Sequence, residues 1–390
     1  MPFQSLTPLQ NKNQNMPQKP KVIIIGGGLA GLTSSILLAK ANFEVILIER
    51  KQYPFHRVCG EYISNEVLPF LKSIGFNPED YGAAQINRLK VTSTSGNSLN
   101  SQLDLGAFGI SRYQLDQSLY QIALKEGVKF ILNHKVLEVN FIDEQFLLEI
   151  SGETLQASIV IGAFGKRANI DQKLQRKFFY QRSPYIGVKY HIKTDFPNNL
   201  IQLDNFKGGY CGISKIEQDL YCLCYLAQNK YVKKYGSIKA MEENVLYQNQ
   251  HLKHIFQNSA FVWSQPEVIN EISFERKSLI ENHILMCGDT AGMIAPLCGN
   301  GMAMAIHSGK ILANHIIKYC SNGIDKNIRF NLEQQYQIAW NNQFATRLKV
   351  GRGIQNLFGN NFLTQMAING LNLFPTLAQQ IVKRTHGKPF

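Results

Sequence analysis

The 390-residue chain has no CxxC pair, and its seven cysteines, at 59, 211, 222, 224, 287, 298 and 320, follow no regular spacing. An odd, scattered set reads as reduced thiols of a cytoplasmic protein and argues against a disulfide framework. No His/Cys cluster has zinc spacing, so no metal is expected. Long apolar runs are missing too, since nothing approaches the roughly 18 residues of a membrane span. Residues 1–20 are rich in Gln, Asn and Pro and lack an apolar core, so a flexible leader is expected there and not a signal peptide. Acid is scarce: 28 Asp and Glu against 41 Lys and Arg leave a formal charge of +13. The basic residues are scattered and no nucleic-acid motif accompanies them, so no nucleic-acid partner is expected. After Glu333 there is no acid at all, while Arg347, Lys349, Arg352, Lys383, Arg384 and Lys388 follow. The 341–390 tail therefore reads either as a peripheral membrane contact or as a solvated basic face.

What is present is a folded α/β chain. Hydrophobic residues make up 44% and charged residues 18%, enough for a sizeable core. Lys21–Ile25 is a short β-branched run of the kind buried in parallel sheets, and it leads directly into Gly26-Gly27-Gly28-Leu29-Ala30-Gly31. A helical stretch follows, then a second apolar run from Phe43 to Ile48 that ends in Glu49 and Arg50. Gly26, Gly28 and Gly31 occupy the GxGxxG positions. The first allows a tight turn, the second lets backbone approach a pyrophosphate, and the third lets helix pack on strand. The helix N-terminus offers free N–H groups to phosphate, and Glu49 stands where an acid accepts ribose hydroxyls. This pattern predicts dinucleotide binding.

A second constellation separates FAD from NAD. Residues 283–310 read as a strand, Gly288-Asp289, a loop with Pro296, Gly299, Asn300, Gly301 and Met302, and then a helix. This resembles the second FAD fingerprint of the superfamily of aromatic hydroxylases, geranylgeranyl reductases and flavin halogenases. The resemblance implies that Asp289 binds a ribityl hydroxyl and that the loop lies under the flavin ring. FHRVCGEYIS, residues 55–64, resembles the family's segment after the ribose acid, which places Arg57, Cys59, Gly60 and Glu61 near the cofactor. Residues 109–128 resemble its Arg-plus-LD helix, so Arg112 should reach the cofactor, and Val136 matches a position whose backbone meets the adenine.

The departures are informative. Phe164 stands where hydroxylases carry the aspartate of a DG motif, and Lys166 and Arg167 follow, which puts the usual NADPH docking route in question. The halogenase WxWxIP motif is absent, the only tryptophans being Trp263 and Trp340. The stretch 208–226 resembles the reductase branch's Gly-Tyr strand pair, with Gly-Ile-Ser replacing an aromatic-Phe-Pro motif.

The expected fold is a Rossmann-type FAD-binding domain assembled from 21–75, 100–175 and 275–340. An antiparallel-sheet substrate domain (76–99 and 176–274) is inserted, and a helical 341–390 tail is interrupted at Gly351, Gly353, Gly359 and Pro375. Tyr210, Tyr221, Leu223 and Tyr225 read either as pocket lining or as sheet core. The resemblance implies an FAD-dependent oxidoreductase acting on a small apolar substrate. Its reaction is expected to be NAD(P)H-dependent hydroxylation or epoxidation, with isoprenoid-type double-bond reduction as the alternative. No catalytic side chain is assigned.

Overall fold

The computed structural model describes residues 19–181, 183–270, 272–294, 299–357, 361–373 and 387–390. Most of the expected leader, and Pro296, lie outside them. The run Val22–Ile25 is buried at every position, and it pairs in parallel with Val45–Glu49 on one side and Ile159–Gly162 on the other. Ile284–Met286 and Lys129–Leu132 extend this sheet in parallel, and the short strand Ile280–Glu281 closes one edge antiparallel. Continuous aliphatic strands form here because helices cover the sheet, so neither face meets water.

Two glycines are dictated by sterics. Gly26 has φ of +104°, and a Cβ there would lie 2.4 Å from the Ala163 carbonyl oxygen. A Cβ on Gly31 would lie 2.0 Å from the Gly26 carbonyl oxygen, so the helix Leu29–Lys40 can sit on the turn only if that residue is glycine. Gly309 plays the same part between helices. It lets Gly301–Cys320 approach the first helix so closely that a Cβ would fall 2.5 Å from Ala30 O.

Above the parallel sheet stands a second sheet, of nine strands among the described residues. Its central strands, Tyr185–Lys193, Tyr221–Gln228, Gly209–Lys215 and Leu200–Phe206, are antiparallel neighbours. Ala84–Thr92 joins Leu200–Phe206 in parallel, and Ser98–Gly109 follows it. The residue-100 boundary drawn from sequence falls inside this last strand.

Alternation decides which side chains go where. Val188, Tyr190, Ile192, Tyr221, Leu223 and Tyr225 pack with Met241, Val245 and Leu252 of the covering helices. Gly187, Lys189, His191, Cys222, Cys224 and Leu226 therefore face the other way. Tyr221 and Leu223 are thus sheet core, whereas Tyr210 joins Leu226 and Ile272 on the opposite face.

The tail departs from its expected pattern. Helix Lys326–Leu357 runs unbroken through Gly351 and Gly353. A helical glycine costs only about 1 kcal/mol, which is less than this helix gains by packing. Trp340 donates to Ser308 Oγ at 3.2 Å, Tyr336 donates to Met286 O at 2.6 Å, and Arg329 donates to Ser158 O. A further helix, Asn361–Leu373, follows, while Gly359 and Pro375 lie outside the described residues. Among the described residues no helix is long and apolar enough to cross a membrane.

Candidate functional site

A cavity of about 1100 Å³ opens between the two sheets, beyond the upper end of the usual range for a single small ligand. Its floor is built at the C-terminal ends of four parallel strands, by Ile25 and Gly26, Ile48 to Lys51, Ala163 to Asn169, and Cys287 to Asp289. Open α/β sheets bind ligands at this edge because their helix N-termini point there.

Gly26, Gly28, Leu29, Ala30, Glu49, Arg50, Arg57, Cys59, Arg112, Val136, Gly288, Asp289, Gly299, Gly301 and Met302 all line this one cavity. Gly31 does not; it is spent on the close contact with Gly26. Asn300 is fully buried and hydrogen-bonds the Glu66 carboxylate from the start of helix Gly301–Cys320, so it shapes the loop from behind.

Several features fit an FAD. No side chain caps the helix Leu29–Lys40 at Gly28, which leaves its first N–H groups available. A Cβ at Gly28 would meet only Arg112 Nη2, at 3.9 Å, so the space in front of the turn is left open by the protein. Helix Gly301–Cys320 likewise has no side-chain cap and points its positive end into the cavity. Glu49 accepts from Gly27 N–H at 2.9 Å and Lys51 N–H at 3.1 Å, and pairs with Arg57 at 3.2 Å.

Arg57 also reaches Asp116 at 3.0 Å, and Arg112 grips Asp116 bidentately at 2.7 and 2.8 Å. Asp116 thus fixes both guanidinium groups beside the phosphate turn. Burial pushes the Asp289 carboxyl up from its ordinary pKa, against the pull of Lys277, Arg112 and Lys166. Its carboxylate receives no hydrogen bond from the described residues, which leaves it ready for hydroxyl donors. Lys277 donates to Asp289 O at 2.8 Å, and burial brings its own pKa down to about 8.

Past the floor the cavity continues into an aliphatic chamber. Leu89, Val91, Leu103, Ile201, Leu203 and Leu226 form its roof, and Ala367, Ile368 and Leu371 of the tail helix close one side. Of the tail's basic residues, Arg347 is held on Glu66 at 3.3 Å, Lys349 and Lys388 are exposed, and Lys383 and Arg384 lie outside the described residues.

Together these features define a dinucleotide-binding protein whose cleft opens into an apolar chamber. The chain belongs to the FAD binding domain family, whose model matches residues 19–325. Its relatives are the flavin halogenases, geranylgeranyl reductases and aromatic hydroxylase-like flavoproteins. It is 25% identical over 360 residues to a digeranylgeranylglycerophospholipid reductase of Methanosarcina acetivorans, covering 87% of this chain and 84% of that one. It is 22% identical to a tryptophan 2-halogenase of Chondromyces crocatus, over 80% of this chain but only 63% of the halogenase. In fold it resembles the flavin-dependent brominase Bmp2, with a TM-score of 0.76, 19% identity and coverage of 94% of this chain and 93% of the brominase. It also resembles a geranylgeranyl bacteriochlorophyll reductase-like protein from Thermoplasma acidophilum (TM-score 0.73, 16% identity, 95% and 92% coverage).

Sequence reading did not single out Asp116, Lys189 or His191, which hold the lining from behind: Asp116 through Arg57 and Arg112, Lys189 and His191 through the 57–61 segment. The signal for Asp116 was the LD pair beside Arg112. For Lys189 and His191, two residues apart on an ordinary-looking strand, there was no local signal.

One consequence can be checked directly. Replacing Asp289 with Ala should weaken FAD binding ten- to a hundredfold, about 1.5–3 kcal/mol for a lost charge-assisted bond, with the melting temperature of the apoprotein little changed. Fluorescence titration of apoprotein with FAD reads the affinity, and unchanged binding would remove Asp289 from the site.

Proposed function

We propose that this protein is an NAD(P)H-dependent FAD monooxygenase that hydroxylates or epoxidises an apolar, lipid- or polyketide-like substrate. The observation that carries the reading is the continuity of a phosphate-binding cleft with an aliphatic chamber. The Gly28 turn and the N–H groups of the first helix would hold the pyrophosphate. Glu49 would hold the adenosine ribose, Asp289 the ribityl chain, and the Gly299–Met302 turn the ring. When bound, FAD supplies the two-electron redox chemistry.

The chain's own part is to bind, orient and exclude water. Leu103, Ile201, Leu203, Leu226 and Ile368 surround substrate with hydrocarbon, and such a shell suppresses side reactions with water. Arg50, Lys51, His134, Lys135, Lys166 and Arg167 line the same cavity and favour anionic dinucleotides.

A second reading, saturation of a double bond, is favoured by the aliphatic character of the chamber and by the nearly full-length likeness to a lipid reductase. Oxygen consumption decides between the two. With NAD(P)H and a substrate extract, the first reading expects oxygen uptake matched to product formed. Product formed equally well without oxygen would sink it and support the second.

A further inference from the structure

The cavity wall formed by residues 57–61 is held from behind at every second residue by the roof sheet. Lys189 Nζ donates to Arg57 O at 3.2 Å, and Cys222 Sγ donates to Cys59 O at 3.2 Å. The Glu61 carboxylate takes the ammonium of Lys189 and the N–H of Arg112 (2.8 Å) on one oxygen, and His191 Nε2 at 2.6 Å on the other. Glu61 and Lys189 are completely buried, and His191 nearly so. Glu61 also sits at φ of +52°, in the left-handed region that a side chain disfavours.

A buried ion pair is a poor device for stability alone, and backbone strain of this kind concentrates at working sites. Glu61, His191 and Cys222 bring their ligand atoms within 4.8 Å of one another, yet the Lys189 ammonium already supplies the cation on that carboxylate.

The hydrogen bonds assign the His191 tautomer. An ionised Glu61 only accepts, so Nε2 carries the proton and Nδ1 is the position that can gain one. Toward the surface His191 meets His56, edge-on at 5.4 Å between ring centres, and Trp263 at 4.7 Å. His56 is half-buried and stacks on the exposed Tyr113. Its Nδ1 is buried with no hydrogen-bond partner among the described residues. Burial, then Lys189 and His191, bring His56 down to about 4, so at neutral pH it is an uncharged imidazole between His191 and the surface. Among the described residues, the charged and titratable groups around His191 are Glu61 and Cys59 of the wall, His56 just before it, Arg112 of the adjoining helix, Lys189 on its own strand, and Cys222 and Cys224 on the neighbouring strand.

We propose that His191, held by Glu61 and Lys189 behind the 57–61 wall, is the cavity's proton reservoir. It takes one proton from solvent when two electrons enter the bound cofactor, and returns it when they leave. An N–H bond forms at Nδ1, turning imidazole into imidazolium, and no bond in the protein breaks. The electrons come from the reductant, which is dithionite in the test below, and the proton comes from water. Lys189 and Glu61 are positioning residues in this scheme, opposed charges between which a third group can titrate. The proposal rests on the FAD reading.

The test is the midpoint potential of the bound FAD between about pH 6 and 8, in wild type and in His191→Gln. Glutamine can still donate to Glu61 but cannot titrate. The wild type should take up one proton more per two electrons, a tenfold change per pH unit, or about 30 mV per pH unit of additional slope. Equal slopes in two proteins that both hold FAD would overturn the proposal and leave the FAD reading intact. A wild type that binds no FAD overturns that reading, and this proposal with it. Should only the variant lose FAD, the His191 ring proton resonances of wild type decide. A move toward the imidazolium position on dithionite reduction supports the proposal, and unmoved resonances overturn it.

Discussion

Replacing Lys189 with Met is expected to cost about 3–5 kcal/mol of folding stability at neutral pH, read by urea titration. The loss comes from what stays behind, because Glu61 keeps its charge in a fully buried site. In the wild type, burial pushes the Glu61 carboxyl up, but Lys189 and His191 outweigh it and bring the pKa from 4.5 down to about 2. A depressed carboxyl stabilises fully above its unfolded value, so this contribution is present above about pH 4.5 and fades as pH falls toward 2. Without Lys189, burial dominates and the pKa moves up, so ionised Glu61 becomes a cost that acid relieves. The stability gap between variant and wild type should therefore narrow as pH falls from 7 toward about 4. The double variant Glu61→Gln, Lys189→Met should recover most of the loss. A gap that ignores pH would show that Lys189 acts through packing alone.

Gly26→Ala and Gly28→Ala should fail in opposite ways, although the two residues are neighbours in one motif. At Gly26 the new methyl would meet Ala163 backbone at 2.4 Å in a left-handed conformation. Backbone strain of about 1–2 kcal/mol adds to about 1–3 kcal/mol of overpacking, so apoprotein stability should fall by about 2–5 kcal/mol. At Gly28 the methyl would meet nothing nearer than Arg112 at 3.9 Å, so apoprotein stability should hold. FAD affinity should nevertheless drop at least tenfold, because the methyl occupies the approach to the helix N-terminus. Melting curves and FAD titrations of the two apoproteins make the comparison. A Gly28→Ala protein that binds FAD like wild type would mean that the cofactor does not approach this turn.

The contrast also explains what could be read from sequence. Phosphate and ribose recognition uses contiguous backbone, so Gly26 to Gly31, Glu49, and Gly288-Asp289 were visible as local patterns. Lys189 and His191 alternate with Val188, Tyr190 and Ile192, a pattern that does not show whether the polar face is covered. They become buried only because that face closes on Glu61, 128 and 130 residues away in the chain. Tyr221 and Leu223 could not be assigned a face from sequence, since both faces of their sheet are covered. Phe164 stands where the resemblance to hydroxylases implies a carboxylate, and its loop is braced by Gly165 N–H donating to Thr290 Oγ1 at 2.8 Å. The glycines at 351 and 353 suggested a broken tail, but packing of the long helix outweighed their weak helix propensity.

The central claim, that this cleft holds FAD, is tested most directly by the chromophore itself. Protein purified under native conditions, or apoprotein reconstituted with flavins, should be yellow and should release FAD on denaturation at about one per chain. FMN should neither copurify nor compete, because Glu49 and the Gly28 turn serve the adenosine half that FMN lacks. Release of FMN, or a colourless protein that takes up no FAD, would contradict the account.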